Sequence, residues 1–399
     1  MGSSRASSAT PPANEVIDGA LPTRRQVIAL ATAVALAGML LTATAVDGWR
    51  MATLSGLGIL LGLTLYLTAF GFTAAYRNLL VHGETAAIRA QLIMLATATL
   101  MFAPVLAAGS VFGREVAGAL APLGVPVAIG AFMFGAGMQL AGGCGSGTLY
   151  TAGGGNPRMI VVLVAFCAGS FWASLHMGWW ARLPSWDEVV LGERLGWPSA
   201  VLLQLGILAL IWVLLGRGSR AADSNAGGIL RLEKRDRLLL IGGLTLAVLN
   251  LLVLVVAGHP WTITWAFALW GAKAAQAAGW DPSGAPFWNG GFQQQALAGG
   301  VLQDVTSVMD IGIMLGAFAG AASLGRFAPR LDLSLRMLAA AVIGGLAMGY
   351  GARIAYGCNI GAFFSGVAST SLHGWLWIAA ALPGTWLGVR LRPWFGMKN

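Results

Sequence analysis

The stretches 26–46, 53–72, 90–110, 124–142, 159–178, 199–216, 238–257, 307–325, 337–355 and 372–390 are predominantly apolar. Each is long enough to cross a hydrocarbon core about 30 Å thick as a helix. Strands of a membrane barrel would instead alternate in polarity over about ten residues, and these runs do not. Charged residues make up 10% of the chain and hydrophobic ones 57%, against roughly 25% charged in a soluble domain. The expected fold is an all-α polytopic membrane protein of about ten transmembrane helices.

The net charge of +9 does not point to nucleic acid, because the basic residues sit in short connections where they set topology. Residues 1–25, rich in Ser, Ala and Pro, read as a disordered cytoplasmic N-terminus. Residues 26–46 read as an extra first transmembrane helix, because the run is longer than the roughly 7–15 apolar residues of a signal peptide. A first repeat is expected over 47–216, a basic cytoplasmic linker over 217–237, and a second repeat over 238–399. Arg24 and Arg25, the 217–237 cluster, Arg326, Arg330 and Arg336, and Arg390, Arg392 and Lys398 then share one side. This places both termini in the cytoplasm of a multi-pass protein of the bacterial cytoplasmic (inner) membrane. Trp261–Ala278 holds Lys273 and Gln276 and reads as an interfacial or half-membrane helix, with Trp261, Trp265 and Trp270 as anchors.

Two segments repeat one another around a cysteine. With Cys144 laid on Cys358, the pairs Gly130/Gly344, Gly135/Gly349, Gly137/Gly351, Ala141/Ala355, Gly143/Gly357 and Gly147/Gly361 coincide. The match resumes one residue out of step at Gly169-Ser170-Phe171 and Gly384-Thr385-Trp386. Repeats carrying interrupted apolar helices mark the binding site of many transporters. The span count sets the two copies in opposite directions through the membrane, a pseudo-two-fold pair.

Gly-dense backbone at membrane depth is tolerated only where protein packs against it or a cavity is lined by it. The cysteines are then either small packing residues or functional thiols. The second reading is carried by their position, after a Gly at a break and at the start of a short half-membrane helix. Such a helix start bears about half a positive charge and free amide donors. Two of them, with Gly143, Gly145, Ser146, Thr148, Gly357, Asn359 and Ser365 around them, suit a small anion. Arg353 either neutralises that anion or snorkels or pairs with Asp310 or Asp304. Asp310 is expected to pair or to cap a helix, and Cys167, which has no counterpart in the other copy, to pack. The four histidines lack metal-ligand spacing, and no catalytic triad, P-loop or dinucleotide fingerprint occurs. The expectation is no enzyme activity, no cofactor and no metal.

Gly-Gly-Cys-Gly-Ser-Gly at 142–147, Tyr-Gly-Cys-Asn-Ile-Gly at 356–361, the stretch Asp304 to Gly312 and the stretch Phe70 to Arg77 together resemble the YeeE/YedE membrane family. The resemblance covers about residues 53 to 392. It implies an hourglass-like bundle in which short helices meet at the centre, and thiosulfate or a related small sulfur anion passing Cys144 and Cys358. Gly71 stands where thiosulfate transporters of that family typically carry a third cysteine. The other classes kept open are a carrier of another sulfur or selenium species, a membrane protein exchanging persulfide with a cytoplasmic sulfur-carrier protein, and a structural subunit.

Overall fold

Apolar runs in a membrane become helices because lipid leaves backbone amides no other partner. The computed structural model describes residues 24–218, 234–329 and 334–399. The expected N-terminal tail up to residue 23, most of the basic linker and Arg330 lie outside the described residues.

The first half comprises α1 (Arg24–Ala45), α2 (Trp49–Thr68), α3 (Phe72–His82), α4 (Ala86–Ala108), α5 (Val125–Ala141), α6 (Gly145–Gly153) and α7 (Pro157–Ser174). The short α8 (Met177–Trp180) and α9 (Leu191–Leu195) follow, then α10 (Trp197–Gly218), α11 (Lys234–Ala257), α12 (Thr264–Ala277), α13 (Gly291–Ala298) and α14 (Val305–Ser323). The chain ends with α15 (Leu335–Ile354), a π-helical turn over Asn359–Phe364 that runs into α16 (Ser365–Ala368), and α17 (Leu372–Leu391). Strands are confined to two small antiparallel pairs outside the bundle: Ser110–Val111 with Arg114–Glu115, and Pro122–Gly124 with Ser185–Glu188.

Local chemistry sets the helix boundaries. Asn156 accepts the Arg158 amide ahead of Pro157 at the start of α7, and Asp304 accepts the Ser307 amide at the start of α14. Both are side-chain caps that satisfy amides the helix leaves open. Gly142, at φ +86°, ends α5 in the left-handed region where a side chain would be strained.

Nine helices among the described residues are long and apolar enough to cross a membrane. The chain is an all-α polytopic membrane protein. The expected span over 372–390 is present as the 20-residue α17 but is not among those nine. His373, Pro383, Arg390 and three tryptophans lower its apolarity, and it is held by protein, packing along α5.

The sequence repeat is a symmetry of contacts. A β-carbon added to Gly130 would stand 2.5 Å from the Gly351 carbonyl oxygen, and one on Gly344 would stand 2.7 Å from that of Gly137. Exchange of the repeat pairs turns the first contact into the second. The same exchange turns Gly135 against Ala381 into Gly349 against Phe166, and Gly169 against Leu346 into Gly384 against Phe132. Along the crossing, numbers rise on α5 as they fall on α15, so the two helices run antiparallel. At the level of helices, α2 on α14 exchanges with α11 on α4, α7 on α15 with α17 on α5, and α1 on α14 with α10 on α4.

Candidate functional site

Four breaks in the helical backbone converge where the halves meet. In α5–α6 the break is Gly142-Gly143-Cys144. Cys144 is extended (φ −85°, ψ −167°) and caps α6, its carbonyl accepting the Thr148 amide at 2.8 Å. In the second half it is Tyr356-Gly357-Cys358, with Cys358 extended (φ −118°, ψ −164°). The Cys358 carbonyl accepts the Ala362 amide at 2.9 Å, and its Sγ accepts the Ile360 amide at 3.4 Å. Both cysteines therefore stand at the start of a short helix. Both are free thiols and essentially unexposed, at 1% and 0%.

The two motifs meet. A β-carbon on Gly145, the residue after Cys144, would lie 3.4 Å from Cys358 Sγ and 3.5 Å from Ile263 Cγ2. The third break, Ala69-Phe70-Gly71 between α2 and α3, adjoins α6: a β-carbon on Gly71 would lie 3.2 Å from the Tyr150 hydroxyl. The fourth, Gly258–Ile263 between α11 and α12, brings Thr262 Oγ1 to 3.1 Å from a β-carbon on Gly361. Sequence reasoning missed Thr262 and Ile263. Their stretch lacks the Gly-Cys mark of the first two breaks, and only its place between α11 and α12, matching Gly71 between α2 and α3, would have singled it out.

Polar atoms at this meeting point divide into committed and free. Ser146 Oγ lies 3.4 Å from Cys144 Sγ. Ser365 is not available to a solute, because it donates to the Trp261 carbonyl at 2.9 Å and accepts from Asn250 at 3.2 Å. Asn250 also accepts the Trp261 amide at 2.8 Å, so this triad fastens the fourth break to the helix after Cys358. Asn359 keeps both amide atoms, Thr148 its hydroxyl and Tyr76 its hydroxyl buried without a hydrogen bond. Polar atoms left unpaired in this way cost about 1–3 kcal/mol each. Asn250→Ala is expected to leave the Trp261 amide unpaired and to cost about 1–3 kcal/mol, seen as a lower melting temperature of the protein in detergent.

Arg353 pairs with neither Asp310 nor Asp304. Its guanidinium lies 5.3 Å above the Phe287 ring, and its Nε is buried without a hydrogen bond. Asp304 is occupied by the Trp265 indole at 2.9 Å and the Ser307 amide at 2.8 Å. Asp310 neither pairs nor caps: both its oxygens are buried without a partner. The expected anchor role of Trp261 is corrected as well. Trp261 is fully buried, Trp265 binds Asp304 and Trp270 donates to Ser307 at 2.9 Å. Helix α12, which carries Trp265 and Trp270, packs along α7. Over the start of α14 lies a cavity of about 390 Å³ whose lining includes Arg50, His259, Gln295 and Gln303.

Residues 67–387 match the family model for sulphur transport. The chain belongs to the sulphur transport family. It is 36% identical over 135 residues to the probable transporter YedE of Escherichia coli (strain K12), a match covering 34% of this chain and 33% of that protein. The YedE protein of Salmonella typhimurium (strain LT2) is 35% identical over a stretch of the same length. The chain thus matches about a third of the length of these two relatives. A longer match joins it to the thiosulfate transporter TsuA of Spirochaeta thermophila, 25% identical over 345 residues, 82% of this chain and 95% of TsuA.

Proposed function

We propose that this chain is a permease or channel of the bacterial cytoplasmic membrane for a small inorganic sulfur anion, thiosulfate first, with the anion passing between Cys144 and Cys358. The observation that carries the reading is the approach of the two Gly-Cys breaks, Gly145 beside Cys358 Sγ. The likeness to TsuA supports the solute. In this reading the protein is a transporter and no enzyme, and both termini are cytoplasmic. Each half opens with a peripheral helix, α1 or α10, so the boundary between halves falls before α10.

The binding chemistry is modest and distributed. Two helix starts contribute roughly 0.3–2 kcal/mol each toward an anion, far less than a divalent anion loses in leaving water. The remainder comes from backbone amides around Gly143, Gly145 and Gly357, from Ser146, and from the unpaired donors of Asn359, Thr148 and Tyr76. Arg353, which has no carboxylate partner, raises the local anion concentration at one entrance. Weak, shared binding favours release, which conduction requires.

The test is initial uptake of labelled thiosulfate, sulfite, sulfate and a selenium analogue by a host lacking its own sulfur-anion carriers. Thiosulfate entry above the empty host, unrelieved by excess sulfate, is expected. Entry of none of the four would end the reading. Gly71→Cys refines it. The added β-carbon meets only the Tyr150 hydroxyl at 3.2 Å, the far end of a side chain rather than backbone. One added weak hydrogen bond, about 0.5–1.5 kcal/mol, should raise thiosulfate uptake by about twofold to tenfold.

The nearness of the two thiols also favours an alternative, persulfide exchange with a cytoplasmic sulfur-carrier protein. A mixed disulfide trapped between that carrier and Cys144 or Cys358 would support it.

A further inference from the structure

Among the described residues, Asp310 is the carboxylate with both oxygens buried and no hydrogen-bond partner. It is 0% exposed, in the second turn of α14. The charged form of such a group is very costly to bury and the neutral acid far less so, so a proton belongs on this side chain while it faces the closed core. Its neighbourhood is otherwise uncharged. Asp304, nearer the start of α14, is held by Trp265 and Ser307. Helix α14 packs on α12 and on α6, which starts beside Cys144 and whose Gly145 lies against Cys358 Sγ.

The elements packed on α14 bring no cation to it. The face of α2 against α14 presents Ser55, Gly58 and Gly62 beside Met309, Gly312 and Ile313. At the ends of α2, Arg50 binds the Val256 and Ala257 carbonyls and Tyr66 lies against Gly154 and Gly320. On α12, Trp270 is committed to Ser307, and Lys273 to the Leu297 and Gly299 carbonyls. Helix α6 brings Tyr150, which faces Gly71, and α1 carries its arginines, Arg24 and Arg25, in its first turn.

A sulfur anion seated at Cys358 therefore shares a low-dielectric space with this carboxyl group. Two like charges there would repel, so anion binding strengthens proton binding on Asp310, and by reciprocity the proton strengthens anion binding. We propose that Asp310 carries a proton through the protein together with the sulfur anion, making the transporter a proton–anion symporter. The inference rests on the transport reading above. No bond to sulfur forms or breaks: the proton comes from water on the entry side and returns to water on the exit side.

The test uses the purified full-length protein in phosphatidylethanolamine–phosphatidylglycerol vesicles, with the membrane potential clamped at zero. Labelled thiosulfate is the probe, because at neutral pH it carries no proton of its own. A pH one unit lower outside should drive wild-type protein to accumulate thiosulfate by up to about tenfold, as coupling to one proton demands. In Asp310→Asn the ratio of uptake with and without the gradient should fall to about one. The ratio is the readout, so a change in overall rate does not enter. A trapped pH dye reads the wild type independently of the variant's folding, and should report about one proton entering per anion. Wild-type uptake indifferent to the gradient, entry without acidification, or a variant with the wild-type ratio would overturn the proposal. Wild-type vesicles that exchange none of the sulfur anions even without a gradient would overturn the transport reading, and the symport with it.

Discussion

Cys358→Ala is expected to lower the initial rate of labelled thiosulfate uptake by about tenfold to a hundredfold, with the protein still present in the membrane. The estimate follows from a hydrogen bond to a charged group, about 1.5–3 kcal/mol, at 1.4 kcal/mol per tenfold. The sulfur is also built into the helix start, accepting the Ile360 amide at 3.4 Å, and alanine leaves that amide unpaired. Cys144→Ala should lower uptake by a comparable amount, because its sulfur occupies the matching place at the start of α6 and touches Ser146 Oγ at 3.4 Å. Serine discriminates between mechanisms. If the thiols act as hydrogen-bonding groups, Cys358→Ser keeps a donor and should retain more uptake than alanine. If they form persulfides, serine and alanine should be equally inactive. Cys167→Ala is the control: this thiol lies partly buried within α7, at neither helix start and without a counterpart in the other repeat, and uptake should stay near wild type. Wild-type uptake in both Cys144→Ala and Cys358→Ala would remove the cysteines from the pathway and leave them as packing residues.

The paired breaks were legible in the sequence because glycine spacing is dictated by close backbone approach, which leaves its mark on composition. Gly130, Gly137, Gly344 and Gly351 recur at fixed intervals since any side chain there meets the facing helix. The inverted relation of the halves followed from counting spans and emerges in the structure from the antiparallel crossing of α5 and α15. The fourth break was not legible. Trp261-Thr262-Ile263 has no glycine or cysteine to mark it, and Lys273 a few positions on suggested an interfacial or half-membrane helix. What keeps α12 inside is tertiary: Lys273 satisfies its charge on two carbonyls from the segment around α13. Arg353 was mislaid for a similar reason. Its partner, the Phe287 ring, belongs to a loop far away in sequence, while Asp304 is taken by Trp265 and Ser307 and Asp310 has no partner. Ser365 looked like a pathway donor by position and proved to be a fastener, because a hydroxyl's commitments are set by the residues folded around it.

Gly316→Val is expected to prevent accumulation of a monodisperse protein, and Gly316→Ala to lower its stability in detergent by about 1–3 kcal/mol, the usual cost of overpacking. Lipid tails are as apolar as leucine, so helices in a membrane gain little from burying apolar surface against each other and rely on close packing. Helices α2 and α14 meet through two interlocked small-residue faces, Gly58 and Gly62 on one and Gly312 and Gly316 on the other. A β-carbon on Gly316 would collide with the Ile59 carbonyl and stand 2.9 Å from the Leu63 nitrogen; one on Gly62 would collide with the Ile313 carbonyl. The obstructing atoms are backbone, so no side-chain rotation relieves the clash and the helices must separate. That separation would displace Asp310, which lies on α14 between Met309, packed on Gly58, and Gly312. The same crossing therefore fixes the part of α14 that carries Asp310. Gly206→Ala on the exposed face of α10 is the matched control, since nothing lies within 4 Å of its new β-carbon. It should leave stability unchanged or raise it by up to about 1 kcal/mol through helix propensity. Thermal unfolding followed by size-exclusion chromatography separates the two cases. Equal stability of Gly316→Ala and Gly206→Ala would show that the α2–α14 crossing yields without cost, and with it the fixed placement of Asp310 would fail.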